Sequence, residues 1–208
     1  MEALFASAGN DTSGDSLEGA HRRYRQRIAE SPSLFTYGNY AHFLGDFGKK
    51  KAAEENFQKA FDCVPDPETA SQGIKDAYCL YLGFYAQLNE SCGEYQLAKE
   101  RYDTILLLNP TDPLAMGNLA VLLHRHLKQH DAAEAAYLLA IEAHPAHAGI
   151  IGKYANFLKH VRQNFDGAAD LYQQAIEANP QHADCLGNYA VLLHGKTHLY
   201  AHSYRCRL

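Results

Sequence analysis

The sequence predicts an all-α solenoid of stacked antiparallel helix pairs, and two recurring elements predict it. In the first, an Ala stands four residues before an aromatic and a Pro follows eight residues after it. This occurs at Ala20, Tyr24 and Pro32; Ala53, Phe57 and Pro65; Ala98, Tyr102 and Pro110; Ala133, Tyr137 and Pro145; and Ala168, Tyr172 and Pro180. The second is a Gly-containing landmark closed by Ala: Gly38 to Ala41, Gly83 to Ala86, Gly117 to Ala120, Gly152 to Ala155 and Gly187 to Ala190. A period near 35 residues with this content marks stacked helical hairpins, each of which must bury its apolar face on a neighbour.

Taken in order, residues 1–16 are rich in Gly, Ser, Asp and Asn after a short apolar start and predict a flexible segment. Ser16 is a candidate cap for a helix over Leu17 to Glu30, the second half of an incomplete unit ending at residue 32. Full pairs follow at 34–65, 76–110, 113–145 and 148–180, and a first helix of a last unit at 183–194. The 45-residue interval from Pro65 to Pro110 exceeds the others, which places a longer linker and an N-terminal extension of the next helix near 66–75. Landmark Ala to closing Pro spans 24 residues in the first two pairs and 25 in the next two, so one residue is inserted between the helices of the later pairs. Both halves carry helical periodicity, as in Leu119, Leu122, Leu123 and Leu127, or Ala133, Ala136, Tyr137, Ala140 and Ile141. Ala at the crossings lets two helices approach, the aromatic fills the space beside it, and Pro stops the pair. Residues 195–208 do not repeat the second-helix pattern and predict a divergent tail or a capping helix.

Together these residues resemble the tetratricopeptide repeat family, over roughly residues 17–194. The resemblance rests on the small first-helix residue (Ala41, Ala86, Ala120, Ala155, Ala190), the Ala–aromatic–Pro series, and a further Ala at Ala60, Ala140 and Ala175. The family often has Trp early in the first helix; this chain has none, and a Gly stands near that place. The resemblance implies a right-handed superhelix that binds another protein or an extended peptide, as adaptor or scaffold, without cofactor or catalysis. The 35-residue spacing also matches the related pentatricopeptide class, which leaves RNA binding as the alternative.

Composition bounds the rest. The net charge is −5, which gives no electrostatic case for general nucleic-acid binding. Residues 1–110 hold 11 Lys/Arg and 16 Asp/Glu, whereas residues 111–208 hold 8 of each. Ten of the 12 His fall in the second half, which should gain positive charge below about pH 6.5. The five Cys (Cys63, Cys79, Cys92, Cys185, Cys206) contain no CxxC pair and are odd in number, pointing to reduced thiols and an intracellular, cytoplasmic setting. Cys63 and Cys185 are expected to be buried as small apolar groups. No secretory signal and no apolar run near 18 residues is evident, so a membrane is not an expected partner. No GxSxG, HExxH, GxxxxGK[ST] or GxGxxG occurs, so no enzyme is predicted. The sequence leaves the oligomeric state open.

Residues two before and one, four or five after the landmark Ala share a face of the first helix, which in such solenoids lines the concave groove. In the second half these positions hold Asn118, His124 and Arg125; Lys153, Asn156, Lys159 and His160; and Asn188 and His194, with Val121 and Val191 between. Amides and cations dominate and no carboxylate appears, which predicts a groove for an acidic or carboxylate-ended peptide. The corresponding N-terminal set, with His42, Gly45, Asp46, Phe84, Gln87, Glu90 and Ser91, is not basic. Family members that clamp the carboxylate of chaperone tails use Lys and Asn; Asn156 and Asn188 match, but Gly152 stands where the first Lys is expected. His194, His198 and His202 lie at four-residue steps, with Cys206 a possible fourth zinc ligand, though a solvated tail is the simpler reading. His124, His126, His130, His144 and His147 sit near predicted turns and helix ends and read as surface.

Overall fold

The structure, a computed structural model, describes the backbone of residues 17–205 and the side chains of residues 17–194. Ten helices and no strand occur among them: α1 (Leu17–Glu30), α2 (Leu34–Asp46), α3 (Lys50–Asp62), α4 (Gln72–Ser91), α5 (Tyr95–Leu108), α6 (Pro113–Arg125), α7 (His130–Ala143), α8 (Ala148–Phe157), α9 (Phe165–Ala178) and α10 (Ala183–Arg205). The chain divides into two compact units after Leu108.

In the first unit, α1 is a lone second helix whose Tyr24 stacks on Tyr40 of α2 at 5.3 Å between centroids. The start of α2 is fixed by a capping box: the Ser33 hydroxyl accepts from Thr36 N–H, and the Thr36 hydroxyl accepts from Ser33 N–H. α2 and α3 form one hairpin and α4 and α5 the next. At their crossings Ala41, Ala53, Ala86 and Ala98 are wholly buried, and Phe57 and Tyr102 are each 1% exposed. Burying an aromatic of this kind contributes about 1.5–3 kcal/mol. The turns reverse through Gly48 and Gly93, at φ 67° and 77°, where a residue without Cβ is favoured. Consecutive pairs touch through glycine: a methyl group on Gly38 would stand 2.7 Å from three atoms of the Tyr81 ring. Lys50 and buried Asn89 both donate to Glu94, joining the two hairpins, and the Lys50 bond holds the Glu94 carboxyl below its ordinary pKa.

α4 begins at Gln72, ahead of residue 76, and runs for 20 residues, which is the N-terminal extension expected from the long interval; Ser71 takes the extended backbone of an N-cap. One expectation changes here. Cys63 is exposed, not buried, because it is the C-cap of α3, one residue past the packed face. Cys185 is buried as expected.

In the second unit α6/α7 and α8/α9 form hairpins around Ala120, Ala133, Ala155 and Ala168, all wholly buried, with Tyr137 and Tyr172 equally enclosed. The inserted residue is accommodated in two ways. Between α6 and α7 the connection His126–Gln129 is one residue longer than those of the first unit. In the next pair, α8 passes into a π turn, Leu158–Arg162, that takes up the extra residue inside the helix. Both detours end in the left-handed conformation at a non-glycine residue, Lys128 (φ 57°) and Gln163 (φ 54°). Arg162, at the end of the π turn, bonds Asp131 and Glu134 of α7, and Glu134 also accepts from the Tyr154 hydroxyl. α10 carries the Gly187 and Ala190 landmark and continues unbroken to Arg205. On it Gly187 and Ala190 are exposed, since among the described residues no second helix packs over them.

Candidate functional site

The candidate site is the first-helix face of the second unit, built from α6, α8 and α10. Asn118 on α6 and Lys153 on α8 occupy the same place in successive repeats, and the structure joins them: Lys153 Nζ donates to Asn118 Oδ1 at 2.7 Å. Asn156, one turn along α8, accepts the Tyr172 hydroxyl at its Oδ1, also at 2.7 Å. Each amide oxygen thus accepts one hydrogen bond, which orients the amide, and its NH₂ group adds two donors to the face. With the Lys153 ammonium, this part of the face is donor-rich.

A second cluster lies at the other end of α6 and α8. Arg125 is exposed on the last turn of α6, and Lys159 and His160 ride on the π turn. Burial lowers the His160 pKa first, and the Lys159 and Arg125 charges lower it further, which places the three groups within electrostatic reach. Asn188 is half-buried and His194 exposed on α10.

His124 departs from its expected place. Its ring is half-buried, edge-on to Phe157 at 5.4 Å, with Nδ1 3.2 Å from the Ala120 carbonyl and 3.3 Å from the Tyr137 hydroxyl. Burial lowers its pKa, and nearby Arg125 adds to the effect. The surface reading of the neighbouring His also fails in part: His130, His144 and His147 are half-buried and only His126 is exposed. His147 caps α8 by accepting from Ile150 N–H, and His144 reaches the Thr111 carbonyl. Helix ends in a hairpin stack lie under the next turn, which is why position near a turn did not mean solvent.

These contacts reveal a rule that spacing alone did not suggest. The second-helix Tyr is buried whole, so its hydroxyl needs a partner, and a first-helix groove residue supplies it: Glu90 for Tyr102 at 2.6 Å, His124 for Tyr137, Asn156 for Tyr172. In the remaining pair the aromatic is Phe57, which has no hydroxyl; the first-helix place that Glu90 and His124 occupy is there Gly45, whereas Asn156 stands nearly one turn earlier, at the place of His42.

A tetratricopeptide repeat family model matches residues 93–148 and 161–197. The matched segments are tetratricopeptide repeats, and the fold of the described residues agrees with that family. A tetratricopeptide repeat protein from Parabacteroides merdae superposes with a TM-score of 0.68 at 18% identity, over 92% of this chain and 71% of that one. MamA superposes with a TM-score of 0.60 at 20% identity, over 80% of this chain and 90% of that one. The first TPR of Spaghetti (RPAP3), whose structure holds the HSP90 peptide SRMEEVD, gives 0.50 at 18% identity, over 57% and 93%. At these identities the likeness speaks for the fold. A comparison with curated proteins finds no match. The 35-residue spacing that suggested pentatricopeptide repeats is explained in this chain by one long turn and one π turn. No described helix is long and apolar enough to cross a membrane, and the described residues hold no cluster of His, Cys, Asp and Glu fit for a metal. The side chains of His198, His202 and Cys206 lie outside the described residues.

Proposed function

We propose that this protein is a non-catalytic adaptor or scaffold whose second unit holds an extended acidic segment of another protein. The observation that carries the reading is the donor-rich character of the face. Asn118 and Asn156 present NH₂ groups, oriented by the bonds that Lys153 and Tyr172 make to their oxygens, and Arg125, Lys153 and Lys159 add cations with no Asp or Glu at these positions. Such a face complements carboxylates and main-chain carbonyls. Asn188, His160 and His194 extend it along the same helices, while His124 supports it from within. Preorganised side chains on rigid helices reduce the entropic cost of holding a flexible peptide. Among the described residues Cys63, Cys79, Cys92 and Cys185 form no disulfide, which fits an intracellular, cytoplasmic setting.

The test is fluorescence anisotropy with a panel of acidic dodecapeptides against the parent chain and the Lys153→Ala/Asn188→Ala variant. Hydrogen bonds to a charged acceptor contribute about 1.5–3 kcal/mol each, so the double variant should bind about tenfold or more weakly with its helical circular dichroism intact. Equal affinity for parent and variant would remove this face as the binding surface. Preferential retardation of single-stranded RNA in a gel at low salt would favour the nucleic-acid alternative.

A further inference from the structure

The first unit carries a second site of opposite polarity. Where Glu90 and His124 hold the buried hydroxyls of Tyr102 and Tyr137, the first pair has Gly45 and Phe57 at the same two places. No side chain is needed over Phe57 and none is supplied, so a notch of about 230 Å³ opens between α2 and α4. Its floor and wall are Phe57, Phe84 and Leu88. Its rim is His42, Asp46, Gln87 and Ser91.

The hydrogen-bonding state of that rim decides what fits. His42 Nδ1 lies 3.4 Å from Asp46 Oδ2, and the ring, when neutral, has one donor and one acceptor nitrogen. The Ser91 hydroxyl gives its hydrogen to the Leu88 carbonyl at 2.7 Å, leaving oxygen lone pairs. The Asp46 side chain is 64% exposed. Gln87 brings further donors. An acceptor-rich rim on an apolar floor, in the half of the chain with the acidic excess, complements a cation beside an aliphatic side chain. It repels the acidic segment proposed for the second unit. The His42 ring packs 3.9 Å from that of Phe84, which stiffens the wall.

We propose that this notch binds an aliphatic side chain standing next to Lys or Arg in an extended segment, the aliphatic group against the part-exposed Phe84 and Leu88 above Phe57 and the cation at Asp46. The site is independent of the acidic-peptide face and is tested separately.

The probe is a set of acetylated, amidated hexapeptides of sequence Gly-Ser-X-Z-Ser-Gly, with X as Leu or Ser and Z as Arg, Ser or Glu. Each is titrated into the ¹⁵N-labelled full chain at pH 8 and low salt. The Leu–Arg peptide should shift the amides of Gly45, Phe84 and Leu88 saturably, and Leu–Glu and Ser–Arg should bind at least about fivefold more weakly. Gly45→Leu should fill the notch and abolish saturation; a Cβ there meets only Leu88 Cδ1 at an ordinary 3.7 Å, so the helix accommodates it. Should that variant fold poorly, Asp46→Asn, at an exposed position, should weaken Leu–Arg about threefold or more and leave Leu–Ser unchanged. The proposal fails if Leu–Arg produces no saturable shift at these amides, if Leu–Glu binds as tightly as Leu–Arg, or if a folded Gly45→Leu chain binds like the parent.

Discussion

Replacing Gly38 by Ala should destabilise the first unit, although Ala favours a helix by about 1 kcal/mol over Gly. The reason is Tyr81. The new methyl would stand 2.7 Å from three atoms of its ring, well inside the usual separation. The ring has no easy retreat: it is 3% exposed and its hydroxyl donates to Asn39 Oδ1 at 2.9 Å. Overpacking costs about 1–3 kcal/mol, and three ring atoms at 2.7 Å place this case in the upper part of that range, about 2–3, so a net loss of about 1–2 kcal/mol is expected once the helical gain is deducted. For a chain of this size that is a fall of about 3–6 °C in Tm. Gly45→Ala and Gly83→Ala are the matched controls. Their methyl groups would meet only Leu88 and Ile105 methyls, at 3.7 and 3.9 Å, so both should raise Tm. Differential scanning calorimetry of the three variants decides the matter. A Gly38→Ala chain melting at or above the parent would show that the glycine is not set by contact between repeats. Tyr81→Leu should remove most of the Gly38→Ala penalty, a coupling of about 1 kcal/mol in a double-mutant cycle.

Other consequences are open to measurement. Burial lowers the His124 and His160 pKa values, so the unfolded chain binds protons there more readily. Stability should therefore fall as pH drops through about 6.5, the ordinary His value, and urea midpoints at pH 7.5 and 5.5 should differ less in His124→Gln than in the parent. Lys128→Gly and Gln163→Gly should each stabilise by about 0.5–1 kcal/mol by relieving left-handed backbone, read as higher denaturation midpoints. Ala155→Leu, at a wholly enclosed crossing, should cost about 1–3 kcal/mol, and a melt that overlays the parent would refute that crossing.

The helices were legible because their determinants are local and repeated. Small residues at the crossings, one aromatic per second helix and a closing Pro recur at fixed intervals, and α1 ends at the residue expected. What escaped was decided by contacts between elements. His124 looks like a groove residue from its register, yet the hydroxyl of Tyr137, thirteen positions on, draws it inward. Asn118 and Asn156 could be placed on a face, but how each amide is oriented depends on Lys153 and Tyr172. The notch over Phe57 had a signal in the sequence, the joint change of Tyr to Phe and of a side chain to Gly45, which becomes readable once the hydroxyl contacts are known. The extra residue was visible in the spacing, but nothing in the spacing says that one pair lengthens a turn while the next winds wider.

That pair of solutions bears on how such an array can change length. Gly48 and Gly93 reverse the chain seven residues after the landmark Ala, and Lys128 and Gln163 do so eight residues after it. The stack thus keeps its phase across a single-codon insertion, provided the surplus is discharged before the second helix begins. A deletion within Leu158–Arg162 should return α8 to an ordinary α-helical end and leave α9 in place, whereas a deletion inside α9 would shift Ala168 and Tyr172 out of register together. Genetic drift in this protein is therefore buffered at the hairpin ends and unforgiving within the second helices.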